Sequence, residues 1–119
     1  HPDDPAELHV AHGLLDRYAH AADVVDADDP LAVAATFTSA YGRSPVRAGS
    51  YLRRSGIVRR FSPAEILRLL GFPPTYRLPP DLPLANAWRL LGNSLSVPAV
   101  REVLSALPLS ARRPARLPA

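Results

Sequence analysis

The chain has 119 residues, 47% of them apolar, enough to form one domain with its own core. It holds no cysteine, which excludes a disulfide framework, a cysteine-based zinc site and a thiol nucleophile within this chain, and no apolar run approaches the roughly 20 residues needed to span a bilayer. Its charge is divided: residues 1–30 carry eight acids against Arg17, net −7, whereas residues 31–119 carry 13 arginines against Glu65, Asp81 and Glu102, net +10.

Residues 1–6 are polar, hold two prolines and are expected to be a flexible start. From Glu7 to Val25, Leu8, Val10, Leu14, Leu15, Tyr18, Ala22 and Val25 recur at three- and four-residue spacing, which predicts one apolar helical stripe. Gly13 interrupts it at a cost of about 1 kcal/mol relative to alanine, so a start at Gly13 itself is the alternative. Asp26-Ala27-Asp28-Asp29-Pro30 reads as a turn and Leu31–Phe37 as a short strand. Thr36–Ser50 has no period; its Tyr41-Gly42-Arg43-Ser44-Pro45 and Ala48-Gly49-Ser50 have the backbone freedom that lets a loop approach a ligand.

Ser62-Pro63-Ala64-Glu65 combines a Ser N-cap, Pro at the first helical position and Glu three residues after the cap, which predicts a helix start. Ile66, Leu67, Leu69 and Leu70 form its buried face, and Gly71 with Pro73 and Pro74 ends it. Tyr76–Pro83 carries three prolines and is expected to be irregular. Leu84–Leu91 is a second short helix with Leu84, Trp88 and Leu91 on one side, Trp88 being assigned to the core. The last helix is expected from Leu95 or Ser96 to Leu107, with Val97, Val100, Val103, Leu104 and Leu107 on its apolar face and Pro98 tolerated in its first turn. Residues 108–119 have no apolar face and are expected to be a disordered tail.

Gly92-Asn93-Ser94 precedes that last helix, where unsatisfied N–H groups and the positive dipole end favour anionic or hydrogen-bonding ligand groups. On three residues alone an ordinary cap explains them as well. His9, His12 and His20 recur near one helix, but no carboxylate stands at the spacing of a zinc helix motif, so no metal is assigned. Every basic residue is arginine, whose planar fork of donors suits paired anionic oxygens and equally suits a solvated surface. The same two readings stand side by side for Arg53, Arg54 and Arg60.

VRRFSPAEILRLLGFP followed by WRLLGNSLSVPAV resembles the last two sequence motifs of the cytosine-C5 methyltransferases, in order and at a matching spacing. LLDRYAHAADVVD and TFTSAYGRSPVRAGSYL are similar to the branch of that family that methylates tRNA, whose recognition region reads Cys-Phe-Thr-Lys-Ala-Tyr-Gly and then Gly-Thr-Gly-Ser. Thr36 and Ser39 depart from that pattern, as does Arg47-Ala48 before Gly49-Ser50; Phe37, Thr38, Tyr41 and Gly42 keep it. The likeness covers roughly residues 8–107.

The resemblance implies an α/β parent fold, Rossmann-like and S-adenosylmethionine-dependent, of which this chain is mainly short helices with a little strand. It implies residues 7–58 as part of the target-recognition region and residues 59–107 as closing motifs that return to the catalytic domain. It implies methyl transfer from S-adenosylmethionine to carbon 5 of an extruded cytosine, with a cysteine thiolate adding first to carbon 6. That cysteine belongs to earlier family motifs absent here, so no catalytic residue is assigned and the chain alone is expected to be inactive. Glu65 is assigned to its capping box instead. Asn93, Ser94 and Leu95 are implied to face the cofactor; Thr38, Tyr41, Arg43, Arg47 and Ser50 to contact nucleic acid, tRNA modestly ahead of DNA; Arg59, Phe61, Pro63 and Glu65 to order the recognition region. The implied partners are nucleic acid and the missing N-terminal catalytic half, in the same polypeptide or as a separate subunit. The expected setting is cytoplasmic, and the opening at His1 without any methionine is expected of a piece of a longer reading frame. A non-catalytic nucleic-acid-binding or split-enzyme subunit is the alternative, and a decayed remnant a third reading.

Overall fold

A computed structural model of the chain describes residues 5–11 and 13–108. Residues 1–4 and 109–119, which hold most of the expected start and tail, lie outside these, as does His12 of the histidine trio. After a single 3₁₀ turn at Ala6–Leu8 come α1 (Leu14–Arg17), β1 (Asp23–Asp26), β2 (Ser50–Arg54), β3 (Ile57–Arg60), α2 (Pro63–Leu69), α3 (Leu84–Gly92) and α4 (Val97–Ala106). Short helices around a three-stranded sheet of order β1-β2-β3 make an α/β piece, the fold class expected.

The long helix expected over residues 7–25 does not form. Gly13 takes a left-handed φ of 88° and breaks the stripe, α1 lasts one turn without burying a residue, and Val24 and Val25 go into β1 instead. Nor is Leu31–Phe37 a strand. Leu31 and Val33 are 85% and 82% exposed, so no apolar surface holds them, and the local N–H groups are taken by side chains: Asp29 accepts from Leu31 at 2.9 Å and Ser50 Oγ from Ala35 at 2.7 Å.

β1 runs parallel to β2, Val24 beside Tyr51 and Asp26 beside Arg53, so the chain must cross over between them. Residues 27–49 make that crossing without a helix or strand. β2 and β3 form a tight hairpin, Tyr51 opposite Arg60 and Leu52 opposite Arg59, that was not among the expected elements. Its signal is Ser55-Gly56, both at positive φ (51° and 78°), the two-residue turn whose twist matches the flanking strands.

α2 starts as its sequence predicts, with the Ser62 hydroxyl accepting from Glu65 N and the Glu65 carboxylate accepting from Ser62 N at 2.7 Å. It stops at Gly71 (φ 83°): Gly71 N donates to Arg68 O and Phe72 N to Leu67 O, both at 3.0 Å, the paired bonds of a Schellman end. Ile66 and Leu67 of α2, Trp88 and Leu91 of α3, Leu52 and Phe61 then close one core with Leu8, Tyr41 and Ala48. Its aromatic members meet edge to face, Phe37–Tyr41 at 4.9 Å, Phe37–Phe61 at 5.4 Å and Tyr41–Trp88 at 5.4 Å between ring centroids.

Candidate functional site

The irregular crossing between β1 and β2 is held by a few buried bonds. Tyr41 Oη donates to Ser50 O at 2.6 Å and accepts from Phe61 N at 2.9 Å, so one phenol ties the loop to β2 and to the end of β3. Burial pushes its pKa well above the ordinary phenol value, which keeps the donor in place at any physiological pH. The Ser50 hydroxyl, fully buried, donates to an Asp23 carboxylate oxygen while accepting from Ala35 N. Trp88 Nε1 donates to Phe61 O at 3.0 Å.

Among the residues expected to meet nucleic acid, Tyr41 and Ser50 are therefore core residues whose polar groups already have partners. Thr38 is half-buried, its hydroxyl accepting from Ala40 N at 3.2 Å. Arg43 and Arg47 are exposed, Arg43 bonding Ser39 O at 3.2 Å and Arg47 sitting at φ 56°, a left-handed conformation uncommon for a residue with a Cβ. The loop thus exposes two arginines, leaves its threonine half-buried and keeps its tyrosine and serine inward.

Behind the loop, Arg59 is buried and grips Glu65 with both ends of its fork, Nη1–Oε1 at 2.8 Å and Nη2–Oε2 at 3.0 Å. Burial alone would raise the Glu65 pKa; the Arg59 hydrogen bonds, those of Ser62 and the Arg59 charge outweigh it and hold the carboxyl below its ordinary value. Glu65 is an ionised cap between β3 and α2, in keeping with the structural duty expected of it.

The Gly-Asn-Ser segment sits differently from its expected place at the mouth of a helix. Gly92 is the last residue of α3 and Asn93 its C-cap, with Asn93 N donating back to Arg89 O and Leu90 O and Ser94 N to Leu91 O at 3.0 Å. These N–H groups are spent on closing α3. Three residues suffice to tell Gly as a helix end from Gly before a helix only when the next cap is recognised, and that cap is Ser96, whose hydroxyl accepts from Ala99 N. Gly92 has a further duty: a Cβ there would lie 2.1 Å from Thr38 C and 2.2 Å from Ser39 N. The end of α3 and the loop between β1 and β2 touch backbone to backbone.

Asn93 is exposed and Ser94 half-buried, on the rim of a groove of about 600 Å³ walled by Phe72, Leu95, Val97, Val100 and Leu104. α4 forms one side of it and buries none of its own residues; Val97 N donating to Leu70 O at 2.8 Å and Pro98 lying against Gly71 attach its first turn. Beyond it, every residue from Arg101 to Pro108 is exposed.

The sequence profile of the C-5 cytosine-specific DNA methylases matches residues 25–108. The chain belongs to that family. A DNA (cytosine-5)-methyltransferase of Dictyostelium discoideum is 48% identical over 50 residues, and a human tRNA (cytosine(38)-C(5))-methyltransferase 44% identical over 50 residues, each stretch being 42% of this chain and 13% of the relative. The crystal structure of S. pombe Dnmt2 methyltransferase is similar with a TM-score of 0.75 at 27% identity, over 86% of this chain and 37% of that one. The chain therefore spans well under half of the methyltransferases it matches. No helix among its described residues is long and apolar enough to cross a membrane.

Proposed function

We propose that this chain is the recognition and closing part of an S-adenosylmethionine-dependent cytosine-C5 methyltransferase, residues 7–58 serving target recognition and residues 59–107 returning to the catalytic half. The observation that carries the proposal is the contact of Gly92 with the Thr38–Ser39 backbone, because it makes the recognition loop and the closing motif one body. A movement of one is then felt by the other. The substrate is nucleic acid, tRNA ahead of DNA, a preference supported by Phe37-Thr38 and Tyr41-Gly42 and by tRNA methyltransferases among the relatives.

Exposed Asn93 and half-buried Ser94, beside the apolar wall of Leu95, Val97 and Val100, suit one side of a site for a ligand that is part polar and part apolar. S-adenosylmethionine has that character and, when bound, supplies the methyl group. In this chain Asn93 and Ser94 would hold its polar part and Leu95 would line its apolar side. Thr38, Arg43 and Arg47 meet the nucleic acid, while Tyr41 and Ser50 shape the loop from within. The thiol that attacks cytosine comes from the catalytic half, in the same polypeptide or as a separate subunit, since this chain has no cysteine.

The test joins the chain to a family catalytic domain that carries the cysteine and follows labelled methyl transfer to tRNA and to DNA. The joined protein is expected to methylate tRNA, and Asn93→Ala to raise the KM for S-adenosylmethionine while leaving nucleic-acid affinity unchanged. Methyl transfer by the isolated chain would overturn the assignment, and transfer to DNA alone would overturn the preference for tRNA.

A further inference from the structure

Arg60 is placed by two aromatic neighbours. It stands opposite Tyr51 across the β2–β3 hairpin, its guanidinium carbon lies 5.9 Å from the centroid of the Trp88 ring, and the same two aromatic residues carry the recognition loop. Gly42 packs on Trp88, and Tyr51 Oη donates to Pro45 O at 3.2 Å. Arg60 is thus at the root of the loop that carries Arg43 and Arg47.

Its charge has no acidic counterpart among the described residues. Among the described residues the buried Arg60 Nε has no hydrogen-bond partner and no carboxylate pairs with the Arg60 guanidinium, in contrast to Arg59 on Glu65 and Arg53 on Asp26. Residues 31–60 hold six arginines and no acid at all. A guanidinium remains protonated under any working condition, so the charge cannot be relieved by losing a proton. The cation–π contact with Trp88 holds the guanidinium in place and reduces the freedom it must give up on meeting an oxygen pair.

We propose that Arg60, held over the Trp88 ring at the root of the Gly42–Arg47 loop, is a backbone-phosphate contact for the bound nucleic acid. The assignment rests on the nucleic-acid reading above. A phosphate strand fits better than a protein carboxylate because it serves Arg43, Arg47 and Arg60 together with repeated anionic groups. Such a contact positions the strand and reads no base.

The experiment measures binding of the full chain to a tRNA and to an unrelated single-stranded RNA across a range of salt concentrations. Arg60→Gln is expected to weaken both complexes alike and to reduce the slope of log affinity against log salt by about 0.7–0.9, the value of one phosphate contact, while Arg60→Lys keeps the slope. Arginine-selective dicarbonyl labelling of the unaltered chain gives a second readout that needs no variant, with labelling of Arg60 expected to fall several-fold on adding RNA. If the chain binds RNA but neither the slope nor the labelling responds at Arg60, this assignment fails and the proposed function stands. If the unaltered chain binds neither RNA, both fail. Protection of Arg60 by the catalytic domain and not by RNA assigns the charge to a protein carboxylate and overturns the phosphate contact.

Discussion

The body from Phe37 to Gly92 and the helix that follows it solve opposite problems. Within the body, inward polar groups other than Arg60 Nε find partners inside the chain: the Tyr41 phenol bridges Ser50 and Phe61, Trp88 bonds Phe61 O, and Arg59 is gripped by Glu65. α4 has the spacing of an amphipathic helix, yet Val103, Leu104 and Leu107 are exposed and no residue of it is buried. Both segments carry apolar residues at helical spacing, so periodicity alone does not separate them. What separates them is whether the chain also contains the surface they match. The body is self-consistent; α4 is shaped for something beyond it.

The contrast breaks most sharply at Gly92. Alanine there drives a Cβ into the Thr38–Ser39 backbone, and backbone, unlike a side-chain tip, cannot swing aside. Gly92→Ala is expected to cost about 3 kcal/mol or more, read as a lower denaturant midpoint with an unchanged slope. An effect no larger than that of an exposed helical Gly→Ala change would mean that the loop and the end of α3 are not in contact.

Tyr41→Phe comes next. It keeps the ring against Phe37 and Trp88 but leaves Ser50 O and Phe61 N, both buried, without their shared partner. The expected loss is about 2 kcal/mol in chemical denaturation. Were Tyr41 a surface contact for nucleic acid, the same change would leave stability unaltered and weaken RNA binding instead.

These residues also mark how far the sequence could be read. The α2 boundaries were legible because both are written in local chemistry: Ser62 with Glu65 at one end, Gly71 at the other. The burial of Trp88 and Leu91 was legible from spacing on a short helix. Residues 7–25 misled because apolar spacing there persists across Gly13, and the left-handed turn of that glycine overrides the stripe. The inward placement of Tyr41 and Ser50 was not legible, since their partners, Phe61, Ala35 and Asp23, are far along the chain and only the tertiary fold brings them together. The close packing of Gly92 on the Thr38 backbone is not legible for the same reason: the two are 54 positions apart.

A smaller effect tests the hinge between sheet and helix. Ser62→Ala removes the N-cap of α2 and is expected to cost about 1 kcal/mol. Glu65 adds a dependence on acid. Because its pKa is held below the ordinary 4.5, its contribution is complete above that value and is lost as the pH falls through the lowered one. Thermal melting should therefore drop below about pH 4.5 more steeply in the unaltered chain than in Glu65→Gln. Identical acid profiles would place the Arg59–Glu65 pair outside the stability of the body.

The least effect on the chain is expected where the proposed effect on function is greatest. Val103 and Leu104 touch little within this chain, and glutamine is a good helix former, so Val103→Gln with Leu104→Gln should change stability by no more than about 0.5 kcal/mol. In the protein joined to a catalytic domain, the same pair puts two amides where an apolar face is proposed to close on that domain. Burying them without partners opposes closure, so methyl transfer should fall by an order of magnitude or more while RNA binding by Arg43 and Arg47 persists. Unchanged methyl transfer would mean that α4 stays exposed in the working enzyme. A loss of stability in the chain alone would mean that its apolar face is already committed to the body, and the division between the two regions would disappear.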